Sequence, residues 1–248
     1  MFRALCLMPQ PARRATRLLA AGFALATIGA IGAVAASSAT AADLVTAATD
    51  SAAHGARPID IGAARKLPLG TVVTVEGSVT VPSGAFSSSS FDEGFAIQDA
   101  TGGIYVSVAT NLGIKLRERA LVTGQLVDSF GLLTLVPAAD SDVEVRGHGR
   151  PVRPLWVRTG SVGAANQGLI VRVVGVINQP IEPDPPFGNK VFIDDGSGTI
   201  RIFVNTSTGI DISGLAQGQL LSVVGFSDEF NDPEIDPRFQ SDLRQPFH

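Results

Sequence analysis

The segment Phe95–Val108, FAIQDATGGIYVSV, is written a second time as Val191–Val204, VFIDDGSGTIRIFV. Ile97, Asp99, Gly102, Ile104 and Val108 recur as Ile193, Asp195, Gly198, Ile200 and Val204, an offset of 96. Alternating apolar residues on either side of an Asp, Thr/Ser and Gly run specify a β-hairpin, because those turn residues tolerate left-handed backbone. A chain that repeats such a hairpin at this distance folds as two like units.

The flanks repeat as well. GTVVTVEGSVT, Gly70–Thr80, matches GLIVRVVGVIN, Gly168–Asn178. RPIDI at Arg57–Ile61 pairs with RPLWV at Arg153–Val157, and ALVTGQL at Ala120–Leu126 with LLSVVGF at Leu220–Phe226. A period of 96–101 residues is a tandem domain duplication, since solenoid units are shorter. In the first strand Val73, Val75, Val79 and Val81 point one way and Thr74, Glu76, Ser78 and Thr80 the other, the period of a strand with one buried face. Gly77 and its counterpart Gly175 fall midway on the inward side, where a glycine permits the sharp coil of a closing barrel. With 27 Gly, 15 Pro, 45% hydrophobic and only 17% charged residues, the chain reads as all-β, built of short strands and tight turns.

The N-terminal region is of another kind. Arg3, Arg13, Arg14 and Arg17 precede an apolar run, Leu18–Ala36, and then SSATAAD. The run is long enough to span a bilayer. Its Ala and Gly content and its small-residue end instead predict a cleaved signal peptide, residues 1–41, with Ala39-Thr40-Ala41 as the processing site. The expected product is exported, periplasmic or secreted, and begins with a flexible stretch, 42–56. The whole chain has 19 basic and 23 acidic residues; without the four leader arginines it has 15 against 23, a net charge of −8. Such a protein lacks the general basic field of a non-specific nucleic-acid binder. The only cysteine, Cys6, lies in the leader, so neither disulfides nor cysteine–metal sites are expected beyond it.

Each unit resembles the bacterial exported OB-fold (oligonucleotide/oligosaccharide-binding) type. LPLGTVVTVEGSVT leads, AIQDATGGIYV follows and LRERALVTGQLVDSFGLLTL closes. The resemblance covers Ile59–Val145 closely and Leu155–Phe239 more loosely. It implies two five-stranded Greek-key barrels, at 57–147 and 155–248, joined by a linker at 148–154. It also implies that a ligand meets the face of the second and third strands and the loops beside it. The second copy departs at its end, where VDSFGLLTLV is replaced by SDEFNDPEIDPRF, leaving its last strand undefined by pattern.

If Ile97, Ile104, Val106 and Val108 face the core, Gln98, Tyr105 and Ser107 face outward, and the second copy presents Phe192, Asp194, Arg201 and Phe203. Aromatics with arginine would stack bases and touch phosphate; packing against the neighbouring barrel would occupy Phe192, Arg201 and Phe203 equally well, and for Tyr105 packing is the preferred reading. The loop after the first strand is serine-rich in copy one, with Phe86 and Phe91 at its ends. In copy two it is stiffened by Pro180, Pro183, Pro185 and Pro186, with Phe187 near its tip. The candidate ligand residues are therefore Tyr105, Phe187, Phe192, Arg201 and Phe203. Lys115–Arg119, KLRER, reads as a polar turn. Asp228, Glu229, Asp232, Glu234 and Asp236 read as an acidic loop without the spacing of a calcium-binding loop.

No nucleophile elbow, phosphate-binding loop or zinc-protease motif occurs, and His54, His148 and His248 stand apart from any recognisable triad. No catalytic residue, cofactor or metal is expected. The sequence predicts a non-enzymatic binding protein, nominally for single-stranded nucleic acid. A cell-envelope protein- or glycan-interaction module is the alternative.

Overall fold

Val72–Val81 (β1), Phe95–Gln98 (β2), Gly103–Val106 (β3), Glu118–Ser129 (β4) and Leu132–Val136 (β5) pair in the order β1-β2-β3-β5-β4, and β4 returns to β1. All pairings are antiparallel except β3 with β5. This closed circuit with one parallel contact is the OB barrel. The computed structural model describes residues 57–86 and 92–245; the leader, the stretch 42–56, the serine run Ser87–Ser90, Phe91, His54 and His248 lie outside them. Val143–His148 (β6) adds to the outside of β4.

The second unit repeats the circuit. Ile170–Ile177 (β8), Gly188–Asp194 (β10), Thr199–Asn205 (β11), Asp232–Asp236 (β13) and Leu220–Phe230 (β12) close in the same order, again with one parallel contact, β11 to β13. Leu155–Trp156 (β7), Glu182–Asp184 (β9) and Leu243–Arg244 (β14) are short additions at its margins. The acidic stretch is thus no loop. It is the β12–β13 hairpin, turned at Asn231 with φ of 60°, and it supplies the last strand that the pattern left undefined.

The repeated hairpin turn has a structural task. Asp99 accepts from Ile61 N at 2.8 Å, and Thr101 Oγ1 from Gly62 N at 2.9 Å, tying the turn to a single helical turn, α1 (Ile61–Ala64). In the second copy Asp195 accepts from Thr159 N at 3.4 Å and Ser197 Oγ from Gly160 N at 2.9 Å, at the 3₁₀ turn Thr159–Ser161. The Asp-x-Thr/Ser spacing is kept because each turn satisfies helix-start N–H groups that have no partner of their own.

Each barrel has its own apolar interior. Val73, Val75, Val79, Ile97, Ile104 and Val122 belong to the first, and Val171, Val173, Ile193, Ile202, Val223 and Ile235 to the second. A Cβ on Gly77 would stand 3.0 Å from the Gln98 backbone, and one on Gly175 2.9 Å from that of Asp194. Both glycines let the first strand bend onto the second.

A third apolar cluster lies between the barrels. Val81, Phe86, Ala96, Tyr105 and Leu132 of the first meet Ile170, Val224 and Phe226 of the second. Two local irregularities build it. A register shift between Val79 and Val81 turns Val81 off the face of Val73, Val75 and Val79 and into this cluster. Phe226 arrives by a slip of one residue. Gly70 N bonds to Leu126 O at 2.7 Å, whereas Gly168 N bonds to Ser227 O at 2.8 Å, so Ser227, not Phe226, is the counterpart of Leu126. One residue of slip exchanges the faces of a strand, and Phe226 leaves the barrel interior for the interface. Polar ties surround the cluster. Ile170 N donates to Gln98 Oε1 at 3.1 Å, Arg65 Nη2 to Gln167 Oε1 at 2.9 Å, and Arg238 Nη1 to Thr80 O at 2.6 Å.

Candidate ligand face

In the first barrel the outer side of β2 and β3 carries Ala96, Gln98 and Tyr105. All three touch the second barrel: Ala96 and Tyr105 in the shared cluster, Gln98 through its bond from Ile170. Tyr105 does point away from its own barrel's core, but the other barrel covers it, leaving it 1% exposed. Its hydroxyl donates to Asp92 Oδ1 at 2.7 Å, and its ring lies 6.0 Å from that of Phe226. The strand 2–3 face of barrel one is an assembly surface. Phe86, at the start of the serine-rich loop, is drawn into the same cluster, 6.2 Å from Phe226.

The corresponding face of barrel two carries Lys190 and Phe192 on β10 and Arg201 and Phe203 on β11. Phe192 stands opposite Arg201, and Lys190 opposite Phe203. All four are half-buried. Phe203 lies over Gly188, where a Cβ would come within 2.9 Å of the ring. Phe192 and Arg201 line a hollow of about 380 Å³ together with Gln179, Thr199, Asp232 and Pro233. Phe187 is not part of that hollow. It sits at the turn of the β9–β10 hairpin, 44% exposed, with its N–H on Asp184 O. The structure thus gathers Phe192, Arg201 and Phe203 on one face, sets Phe187 at its end and removes Tyr105.

Both cations of this face are engaged. Arg201 Nε meets Glu234 Oε2 at 2.6 Å and its Nη2 donates to Phe230 O at 3.1 Å, while Lys190 Nζ meets Asp184 Oδ2 at 2.8 Å. Beside Arg201 lie three buried carboxyls, Asp228, Glu234 and Asp236. Burial pushes Asp228 up to about 6, against the hydrogen bonds from Glu229 N and the Asp236 side chain and then the Arg201 charge. Burial, followed by the charge of Asp228, pushes Glu234 up to about 7 against the pull of Arg201. Asp236 is raised well above the usual carboxylate range by burial and then by both neighbouring acids.

Register relates these residues to the first barrel. Arg201 pairs with Glu234 where Tyr105 pairs with Thr134, and Asp228 pairs with Glu234 where Val127 pairs with Thr134. Asp236 follows Glu234 as Val136 follows Thr134. In barrel one these positions, Val127, Thr134 and Val136, line an open hollow of about 400 Å³ with Ser107 and Phe130. A sequence signal for this correspondence exists: Pro137, Ser141 and Asp142 return as Pro237, Ser241 and Asp242, an offset of 100 that anchors β13 beside β5. Sequence reasoning also passed over Trp156, the only tryptophan. It is 65% exposed on the marginal strand β7, with the Arg172 guanidinium 5.2 Å above its ring.

No protein-family model matches the chain, and no curated protein matches it. Solved structures resemble it distantly. The hypothetical protein ygiW from E. coli is 16% identical over 37% of this chain and 91% of its own, with a TM-score of 0.30. A murine DNA binding protein bound with double-stranded DNA is 14% identical over 66% of this chain and 90% of its own, TM-score 0.37. A single-stranded DNA binding protein from Thermus aquaticus is 12% identical over 73% and 95%, TM-score 0.25. Likenesses this remote say nothing of a ligand. The barrel assignment stands on strand order and register.

Proposed function

We propose that the protein is an exported, non-enzymatic binding module whose ligand lies on the β10–β11 face of barrel two, and that this ligand is an oligosaccharide of the cell envelope. One observation carries the choice: Arg201 and Lys190, the cations of that face, are already paired with Glu234 and Asp184. Phosphate binding draws its affinity from cations that exchange counterions for phosphate, and a paired arginine must first leave its carboxylate. Sugar hydroxyls need planar polar groups and an aromatic surface; Phe192, Gln179, Thr199 and Arg201, itself paired with Glu234, provide these at the hollow, and Phe203 extends the same face beyond it. OB barrels serve both ligand classes.

Single-stranded nucleic acid is the second reading, favoured by the neighbouring Phe192, Arg201 and Phe203 on the strand 2–3 face. Stacking a base on an aromatic contributes about 1–3 kcal/mol. On that reading Phe203→Ala weakens oligonucleotide binding about tenfold or more, and Arg201→Ala flattens its salt dependence. Titrating the protein with neutral envelope oligosaccharides and with oligonucleotides, at low and moderate salt, separates the two. Salt-independent oligosaccharide binding lost in Phe203→Ala supports the proposal. Oligonucleotide binding that falls steeply with salt, with no oligosaccharide binding, replaces it with the second reading.

A further inference from the structure

Asp228 on β12 and Glu234 on β13 are direct cross-strand partners, and Asp236 stands two residues beyond Glu234 on the same side of the pair. One oxygen from each lies within 4.8 Å of the others. Like charges set opposite each other on a sheet repel, and an uncompensated buried charge costs more still. Yet the three residues are only 8%, 5% and 4% exposed. Arg201 answers one of them, Glu234. Asp236 is the most enclosed; its side chain shares a hydrogen bond with Asp228, and its Oδ1 has no hydrogen-bond partner among the described residues. A buried acceptor of this kind requires something to accept from.

We propose that Asp228, Glu234 and Asp236 hold a divalent hard cation, with calcium as the fitting ion. Oxygen ligands stand about 2.3–2.6 Å from calcium, so two ligands of one ion are at most about 4.6–5.2 Å apart. Three oxygens mutually within 4.8 Å lie no more than about 2.8 Å from a common centre, so a small inward shift of the carboxylates brings all three to calcium distance. An all-carboxylate donor set selects hard cations over zinc or copper. Charge closes too: three carboxylates and one guanidinium leave −2, which a divalent ion cancels.

The duplication supplies an internal comparison. At the same register barrel one has Val127, Thr134, Val136 and Tyr105, and it closes the same circuit of strands. The fold therefore has no need of the acids. The second barrel differs at all four positions together, as a site would require. This inference stands apart from the oligosaccharide reading, because metal loading is measured with no sugar present.

The test is equilibrium dialysis and thermal melting of chelator-treated protein with calcium chloride, and magnesium and manganese as competitors. One calcium bound per chain, with a transition temperature that rises and saturates, is expected. Asp236→Asn and Asp228→Asn should melt no lower than the metal-free parent yet lose the calcium response. Asp232→Asn, an exposed acid on the same hairpin, should keep it. No calcium-dependent shift and no bound ion at about 10 mM, roughly tenfold above the weak end of protein calcium sites, overturns the site. So does stoichiometric binding that survives both cluster variants, or binding abolished by Asp232→Asn alone.

Discussion

Tyr105 and Phe226 meet between the barrels with ring centroids 6.0 Å apart, one from each copy, and neither has more than 1% of its surface exposed. The contact divides the work of the duplication. Barrel one spends its strand 2–3 face on holding its twin, and barrel two keeps the equivalent face open.

Phe226→Ala should therefore cost stability far beyond its own barrel. Removing a fully buried phenylalanine typically costs about 3–5 kcal/mol through lost burial and the cavity left behind. Urea unfolding should show a clearly lower midpoint, with the Phe86 and Tyr105 side chains losing their partner. An unchanged midpoint would mean the barrels do not lean on each other.

Gly77→Val and Gly175→Val should each destabilise by about 1–3 kcal/mol, since the new side chain meets backbone that cannot move aside. The contact distances, 3.0 Å to Gln98 and 2.9 Å to Asp194, already exclude a Cβ at ordinary separation. Chemical denaturation of the two variants checks this.

Asp99→Ala should cost about 1–3 kcal/mol, because Ile61 N, Thr101 N and Gly102 N lose their common acceptor. Thermal melting measures it, and amide exchange at Ile61 should quicken in the variant.

The buried acids make metal-free stability depend on pH. Unfolded carboxyls titrate near about 4, while Asp228 and Glu234 are pushed up to about 6 and about 7 in the folded chain. Between these limits the folded state holds protons that the unfolded state has released. Their contribution is full below about pH 4 and is lost as pH rises through 7. Melts in chelator at pH 5 and pH 8 should place the higher transition at pH 5, and Asp236→Asn should narrow the difference.

Much of the fold was legible because alternation and repetition are local signals. Val73, Val75, Ile97 and Ile193 declare their faces, and the two hairpin turns declare each other. What escaped was decided by single-residue offsets. Val81 changes face through an irregularity in pairing, and Phe226 changes face because β12 is set one residue further than its match to LLSVVGF implies. The acidic stretch hid a strand because Asp, Glu and Pro are poor strand formers. Only tertiary pairing with β11 and β12 holds it there. The ligand face was half legible. Parity placed Phe192, Arg201 and Phe203 outward, but it does not show that Arg201 is already bonded to Glu234 or that a second barrel covers Tyr105.

The covered face of barrel one is the centre of this account, and the chain carries its own reporter, since Tyr105 is the only tyrosine. Tetranitromethane nitrates accessible tyrosines, and peptide mass mapping reads the product. The native protein should leave Tyr105 unmodified under conditions that nitrate it fully in urea, and Phe226→Ala should make it reactive while still folded. Nitration of the native chain at the rate of the unfolded one would show the strand 2–3 face of barrel one open to solvent, and the division of labour between the barrels would be wrong.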